Sequence, residues 1–89
     1  MKPPLIYSPG QLANYLKLIR QKNNWTQSEL AKKIGIKQST VSNFENNPDN
    51  ITLTTFFKLL QALDVSMVLY EKGDAVSDNN EIHQQDVDW

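Results

Sequence analysis

The 89-residue chain contains no cysteine, so neither disulfides nor thiolate metal sites contribute to its structure. His83 is its only histidine. A histidine metal cluster or a Ser/His/Asp triad needs partners that this sequence does not supply. Ser8, Ser28 and Ser42 have no general base nearby in the sequence, and no two acids share one rigid element, so neither an enzyme nor a cofactor is expected. Long hydrophobic runs are also missing: the longest, Met67 to Tyr70, is far short of the roughly 20 residues that span a bilayer. The opening residues do not form a charged region followed by an apolar one, as a leader would. A soluble, cytoplasmic protein without a membrane partner is the expectation. A chain of this length makes one domain at most, either a well-packed helical unit or one that shares its core with a second copy.

Charge of either sign is nearly balanced, with a formal net of −1, but the two signs are segregated. Residues 1–72 hold nine Lys/Arg against five acids (Glu29, Glu45, Asp49, Asp64, Glu71), a net of +4. Residues 73–89 hold five acids (Asp74, Asp78, Glu81, Asp86, Asp88) and no base, a net of −5. The composition of residues 73–89 predicts a disordered acidic tail on a basic domain, 1–72.

Four helices are predicted in that domain. Ser8 with Pro9 and Gln11 reads as a helix start with a capping box, and Tyr7 is placed to staple onto Leu12. Leu12, Leu16 and Ile19 recur at helical spacing to about Gln21, where Lys22-Asn23-Asn24 stops the pattern. Thr26 and Glu29 form a second box, flanked by Trp25 and Leu30 as a staple, and the helix ends on Gly35. A third helix restarts at Gln38, runs through Val41 and Phe44 to about Asn46, and gives way to the loop Asn46–Asn50. Thr52 caps the fourth, whose buried stripe is Phe56, Leu59, Leu60 and Leu63.

After Asp64 the pattern changes to strand formers, with Val65, Met67 and Leu69 on one predicted face. A lone strand leaves its backbone groups unpaired. Leu5-Ile6-Tyr7 is a short candidate partner within the chain; the other candidate is the same strand of a second copy. Val65, Met67, Val68, Leu69 and Tyr70 are accordingly expected to form the dimer interface, in an all-α bundle completed by one C-terminal β-strand pairing across the dimer.

The stretch from Trp25 to Glu45 fits T-Q-x-x-L-A-x-x-x-G-x-x-x-x-x-[IV]-S-x-x-E and resembles the Cro/phage-repressor family of helix-turn-helix domains. Each fixed position has a mechanical reason. Leu30 and the small Ala31 pack helix two on helix three, Gly35 makes the turn, and Ile36, Val41 and Phe44 anchor helix three. Glu45 is expected to tie the end of that helix to the domain. With Val41 and Phe44 inward, Gln38, Ser39, Ser42 and Asn43 fall on the outer face. They are short polar groups suited to base edges, and Lys37 at the start of the helix reaches a guanine or a phosphate. Thr40 flanks this face as a phosphate ligand. The resemblance implies that Gln27 contacts a phosphate and braces the first residue of the recognition helix, while Lys32 and Lys33 add charge near the DNA backbone. Lys17, Arg20 and Lys22 on helix one are expected to be solvated charges, some of them near phosphate.

The flanks extend the likeness. Ile6-Tyr-Ser-Pro, Gln11-Leu-Ala-Asn, Phe44-Glu-Asn-Asn-Pro-Asp-Asn, Thr52-Leu-Thr-Thr-Phe-Phe-Lys and a short acidic tail ending in Trp89 are similar to the HipB-type antitoxins. That resemblance implies a homodimer that binds operator DNA, represses its own operon and neutralises a HipA-type Ser/Thr kinase toxin. Trp89, an aromatic anchor beyond an acidic stretch, is expected to dock on the toxin; the alternatives are an incidental residue or a protease-recognised signal. The other reading is a stand-alone phage-type repressor without a toxin partner.

Overall fold

The computed structural model describes residues 3–72. They form α1 (Pro9–Lys22), α2 (Gln27–Ile34), α3 (Gln38–Asn46), a 3-10 turn (Pro48–Asn50) and α4 (Leu53–Leu63), with no strand among the described residues. Each boundary has a local cause. Ser8 Oγ accepts the Gln11 N–H at 3.1 Å, with Pro9 at the first helical position. The Gln11 side chain reaches one residue beyond a capping box and accepts the Tyr7 N–H at 2.6 Å. The Tyr7 staple onto Leu12 does not close, because Tyr7 is exposed; its ring lies 5.7 Å from Lys72 Nζ instead. At the other end Asn23 caps α1, and Asn24 takes the left-handed conformation (φ 62°) that asparagine tolerates better than most residues.

α2 carries the full reciprocal box: Thr26 Oγ1 accepts the Glu29 N–H at 3.0 Å, and Glu29 Oε1 accepts the Thr26 N–H at 2.8 Å. Thr52 Oγ1 accepts the Thr55 N–H at 3.2 Å and opens α4. The loop expected at Asn46–Asn50 is tightened by Pro48 into the 3-10 turn, since a proline fits the first position of such a turn.

One core joins all four helices: Ala13 and Leu16 from α1, Leu30 and Ala31 from α2, Val41 and Phe44 from α3, and Phe56, Leu59, Leu60 and Leu63 from α4. Trp25, Ile36, Ile51 and Val65 pack around its rim. Val65 is half-buried and its N–H donates to the Leu60 carbonyl at 2.9 Å, closing α4 behind Asp64. Residues 66–70 then run exposed and make no backbone ladder with Leu5-Ile6-Tyr7 or any other described segment of their own chain.

Candidate nucleic-acid interface

The interface begins at Gly35. Its φ of +71° lies in the left-handed region, where a side chain is strained, and this reverses the chain so that the Ile36 N–H donates back to the Ala31 carbonyl at 3.0 Å. Three residues later α3 starts with Lys37 at its N-cap. Val41 and Phe44 point into the core, which fixes the rotation of α3 about its axis. The opposite face is thereby turned outward: Lys37, Gln38, Ser39 and Asn43 are exposed, while Thr40 and Ser42 are half-buried at its margins. Ser42 Oγ accepts from Asn46 Nδ2 at 3.3 Å, so Asn46 belongs to this face as well.

Beneath the polar face lies a connected chain of buried and half-buried polar groups. Arg20 Nε donates to Glu45 Oε2 at 2.7 Å and its Nη2 to Oε1 at 3.0 Å, a bidentate pair whose side chains are only 9% and 3% exposed. Arg20 Nη1 donates to the Trp25 carbonyl at 2.7 Å. Gln27 Nε2 donates to Glu45 Oε1 at 2.9 Å, and Gln27 Oε1 accepts from Gln38 Nε2 at 2.7 Å. Contacts from α1 and α2 therefore converge on one α3 carboxylate, and Gln27 in turn orients Gln38 at the mouth of the recognition helix. The expectation for Glu45 holds. The expectation for Arg20 is corrected: it is no solvated charge, because Ala13, Leu16 and Arg20 recur at helical spacing on the face of α1 that packs inward. That spacing was the signal that marks it as buried.

Lys33 is exposed at the end of α2, with its Nζ 4.7 Å from the Trp25 ring centroid, a cation–π contact that restrains the ammonium. Thr40 and Asn43 share an open hollow of about 350 Å³ with Phe44, Asn47, Asn50 and Ile51. Gln27, Gln38 and Ser42 are thus tied into side-chain hydrogen bonds, whereas Lys37, Ser39, Thr40 and Asn43 make none through their side chains among the described residues.

Exposed large apolar residues also lie outside α3. Met67, Val68, Leu69 and Tyr70 are all exposed, as are Leu53 and Phe57 one turn apart on α4. The α4 pair was missing from the sequence reading, which followed only the buried stripe of that helix. So much exposed large apolar area on a small domain is the mark of an interaction surface. Trp89 and His83 lie outside the described residues. Within them, no three of His, Cys, Asp and Glu are grouped to hold a metal ion, and no helix is long and apolar enough to cross a membrane.

A short capped helix, a glycine turn and a second helix with a rigidly presented polar face define a helix-turn-helix protein. Comparison with known proteins agrees: residues 16–70 match the helix-turn-helix family model. The chain is 66% identical over 84 residues to the antitoxin HipB of Escherichia coli strain K12, covering 94% of this chain and 93% of that protein. It is 36% identical over 59 residues to the antitoxin HigA1 of Mycobacterium tuberculosis, covering 66% of this chain and 40% of that protein. Among solved structures, chains of a HipA-HipB-O2-O3 complex and a HipB-O4 20mer complex each share 72% identity at a TM-score of 0.75, covering 78% of this chain and 97% of theirs. The chain belongs to the HipB antitoxin family.

Proposed function

We propose that this protein is an antitoxin and transcriptional autorepressor, which binds palindromic operator DNA as a dimer through α3 and neutralises a HipA-type Ser/Thr kinase. The observation that carries the reading is the outward polar face of α3, with Gln38 oriented through Gln27 by the buried Arg20–Glu45 pair. A base reader held by packing and hydrogen bonds gives up little side-chain freedom when it meets DNA. The solved HipB-O4 20mer and HipA-HipB-O2-O3 complexes of relatives support both halves of the proposal.

In this reading Lys37, Gln38, Ser39, Ser42 and Asn43 face base edges, with Gln38 and Asn43 suited to adenine. Gln27, Lys33 and Thr40 meet the phosphate backbone. Residues 1–72 form the DNA-binding and dimerisation domain, residues 73–89 an acidic tail that engages the toxin, and the protein acts in the cytoplasm on its own operator. Footprinting on the DNA upstream of its own gene tests the first half. The protected site is expected to be a two-fold repeat, and Gln38→Ala is expected to weaken binding by about 1–3 kcal/mol and to relax preference at one base pair in each half. Uniform loss across unrelated sequences would instead make Gln38 a phosphate ligand.

Trp89 carries the second half. Aromatic anchors at interfaces contribute about 2 kcal/mol or more when truncated, so deleting Trp89 is expected to weaken kinase binding by roughly 30-fold in calorimetry. Unchanged affinity removes Trp89 from the toxin interface. No binding by the full chain leaves a stand-alone repressor.

A further inference from the structure

The lysines that the operator reading assigns to DNA can also attract an anion from within the chain. The only ion pair among the described residues is the buried Arg20–Glu45 bridge. Lys32, Lys33 and Lys37, at the end of α2 and the start of α3, are exposed and have no carboxylate partner among the described residues. Of the acids on these two helices, Glu45 is consumed by Arg20 and Glu29 by the α2 capping box. The α2–α3 turn that leads into the recognition face therefore carries three exposed lysines with no compensating carboxylate among the described residues. The same chain carries five acids and no base in residues 73–89.

We infer that the acidic tail, residues 73–89, docks electrostatically on the basic face formed by Lys32, Lys33 and Lys37 and competes there with DNA. This rests on the reading of that face as the operator interface. Reach is not limiting. Seventeen residues extend to about 56 Å at roughly 3.3 Å each, against a longest dimension of 40 Å. A tethered segment of this length acts at an effective concentration in the millimolar range, so even a weak polyanion contact occupies the face appreciably. The tail is then a built-in competitor that lowers DNA affinity by a common factor for all sequences. It acts most at low salt, where charges a Debye length of about 10 Å apart still interact.

The test uses the full chain and a variant with Asp74→Asn, Asp78→Asn, Glu81→Gln, Asp86→Asn and Asp88→Asn. Amide spectra of the two free proteins are compared at 50 and 300 mM salt, and their affinities for operator and random duplex are measured alongside. Docking predicts shift differences concentrated in Lys32–Asn43 that shrink with salt, together with a roughly three- to tenfold gain in affinity of the variant for both duplexes at low salt. Identical spectra across Lys32–Asn43 overturn the proposal even if DNA affinity rises, because simple repulsion between tail and DNA raises affinity without touching the free protein. Spectral shifts without any gain for DNA overturn the competition. If neither chain binds DNA, the operator reading fails while the spectra still decide whether the tail contacts the face.

Discussion

Glu45→Ala will destabilise the domain by about 3–5 kcal/mol, most of what a domain of this size has to lose. The reason lies in what is left behind more than in what is removed. Arg20 keeps its place on the inner face of α1, 8% exposed, with two of its donors no longer matched to an acceptor and only the Trp25 carbonyl still satisfied. Gln27 Nε2 loses its partner as well. Urea unfolding and thermal melts followed by circular dichroism would measure the loss, which corresponds to a fall in Tm of at least about 12 °C. The double variant Arg20→Met with Glu45→Leu separates charge burial from packing. Removing both partners takes away the unpaired charge, and such exchanges are often neutral or stabilising. It should therefore regain most of the stability while leaving Gln27 and Gln38 unbraced, so that operator affinity stays low in a folded protein. Glu45→Ala with wild-type stability would show that the bridge is incidental to the fold.

That bridge also marks the boundary of what the sequence makes legible. The helix limits were readable because their causes are local: Ser8, Thr26 and Thr52 each hold the amide three residues ahead, and Gly35 is the one position in the motif that requires a left-handed turn. The outward face of α3 was readable because Val41 and Phe44 fix its rotation. Arg20 and Glu45 are 25 residues apart, and no local rule couples them; only the packing of α1 against the end of α3 does. Leu53 and Phe57 were missed for a related reason. On α4 they sit beside a strong buried stripe that already explains the helix, and their exposure appears only once the fold shows that nothing among the described residues covers them. The Tyr7 staple fails in the opposite sense: the pattern was present, but the Gln11 contact to the Tyr7 amide fixes the backbone without needing the ring.

Val68→Asp will yield a monomer that has lost operator binding. Met67, Val68, Leu69 and Tyr70 are exposed, as are Leu53 and Phe57 on α4, and residues 66–70 make no backbone ladder among the described residues, which leaves them available to pair with a second copy. A carboxylate introduced at Val68 loses its hydration when two chains close over it, a cost of several kcal/mol per ion, and each dimer would bury two. One recognition helix contacts only a few base pairs, and the two-fold arrangement presents a pair of them about 34–36 Å apart, so that the second half-site is bound from an effective concentration instead of from solution. Losing that linkage costs roughly 10²- to 10⁴-fold in affinity with every base-reading side chain intact. Light scattering after size exclusion would give the mass, and titration of the two-fold operator against a single half-site would give the affinity. The wild type should prefer the full site strongly and the variant hardly at all. Helical content and the α3 amide signals should be preserved, since Val68 lies outside the core that joins the four helices. Phe57→Asp, at an exposed apolar residue of a different element, should reproduce the result; a dimeric Val68→Asp beside a monomeric Phe57→Asp would move the interface from the extended segment to α4, and a monomeric wild type would remove it altogether.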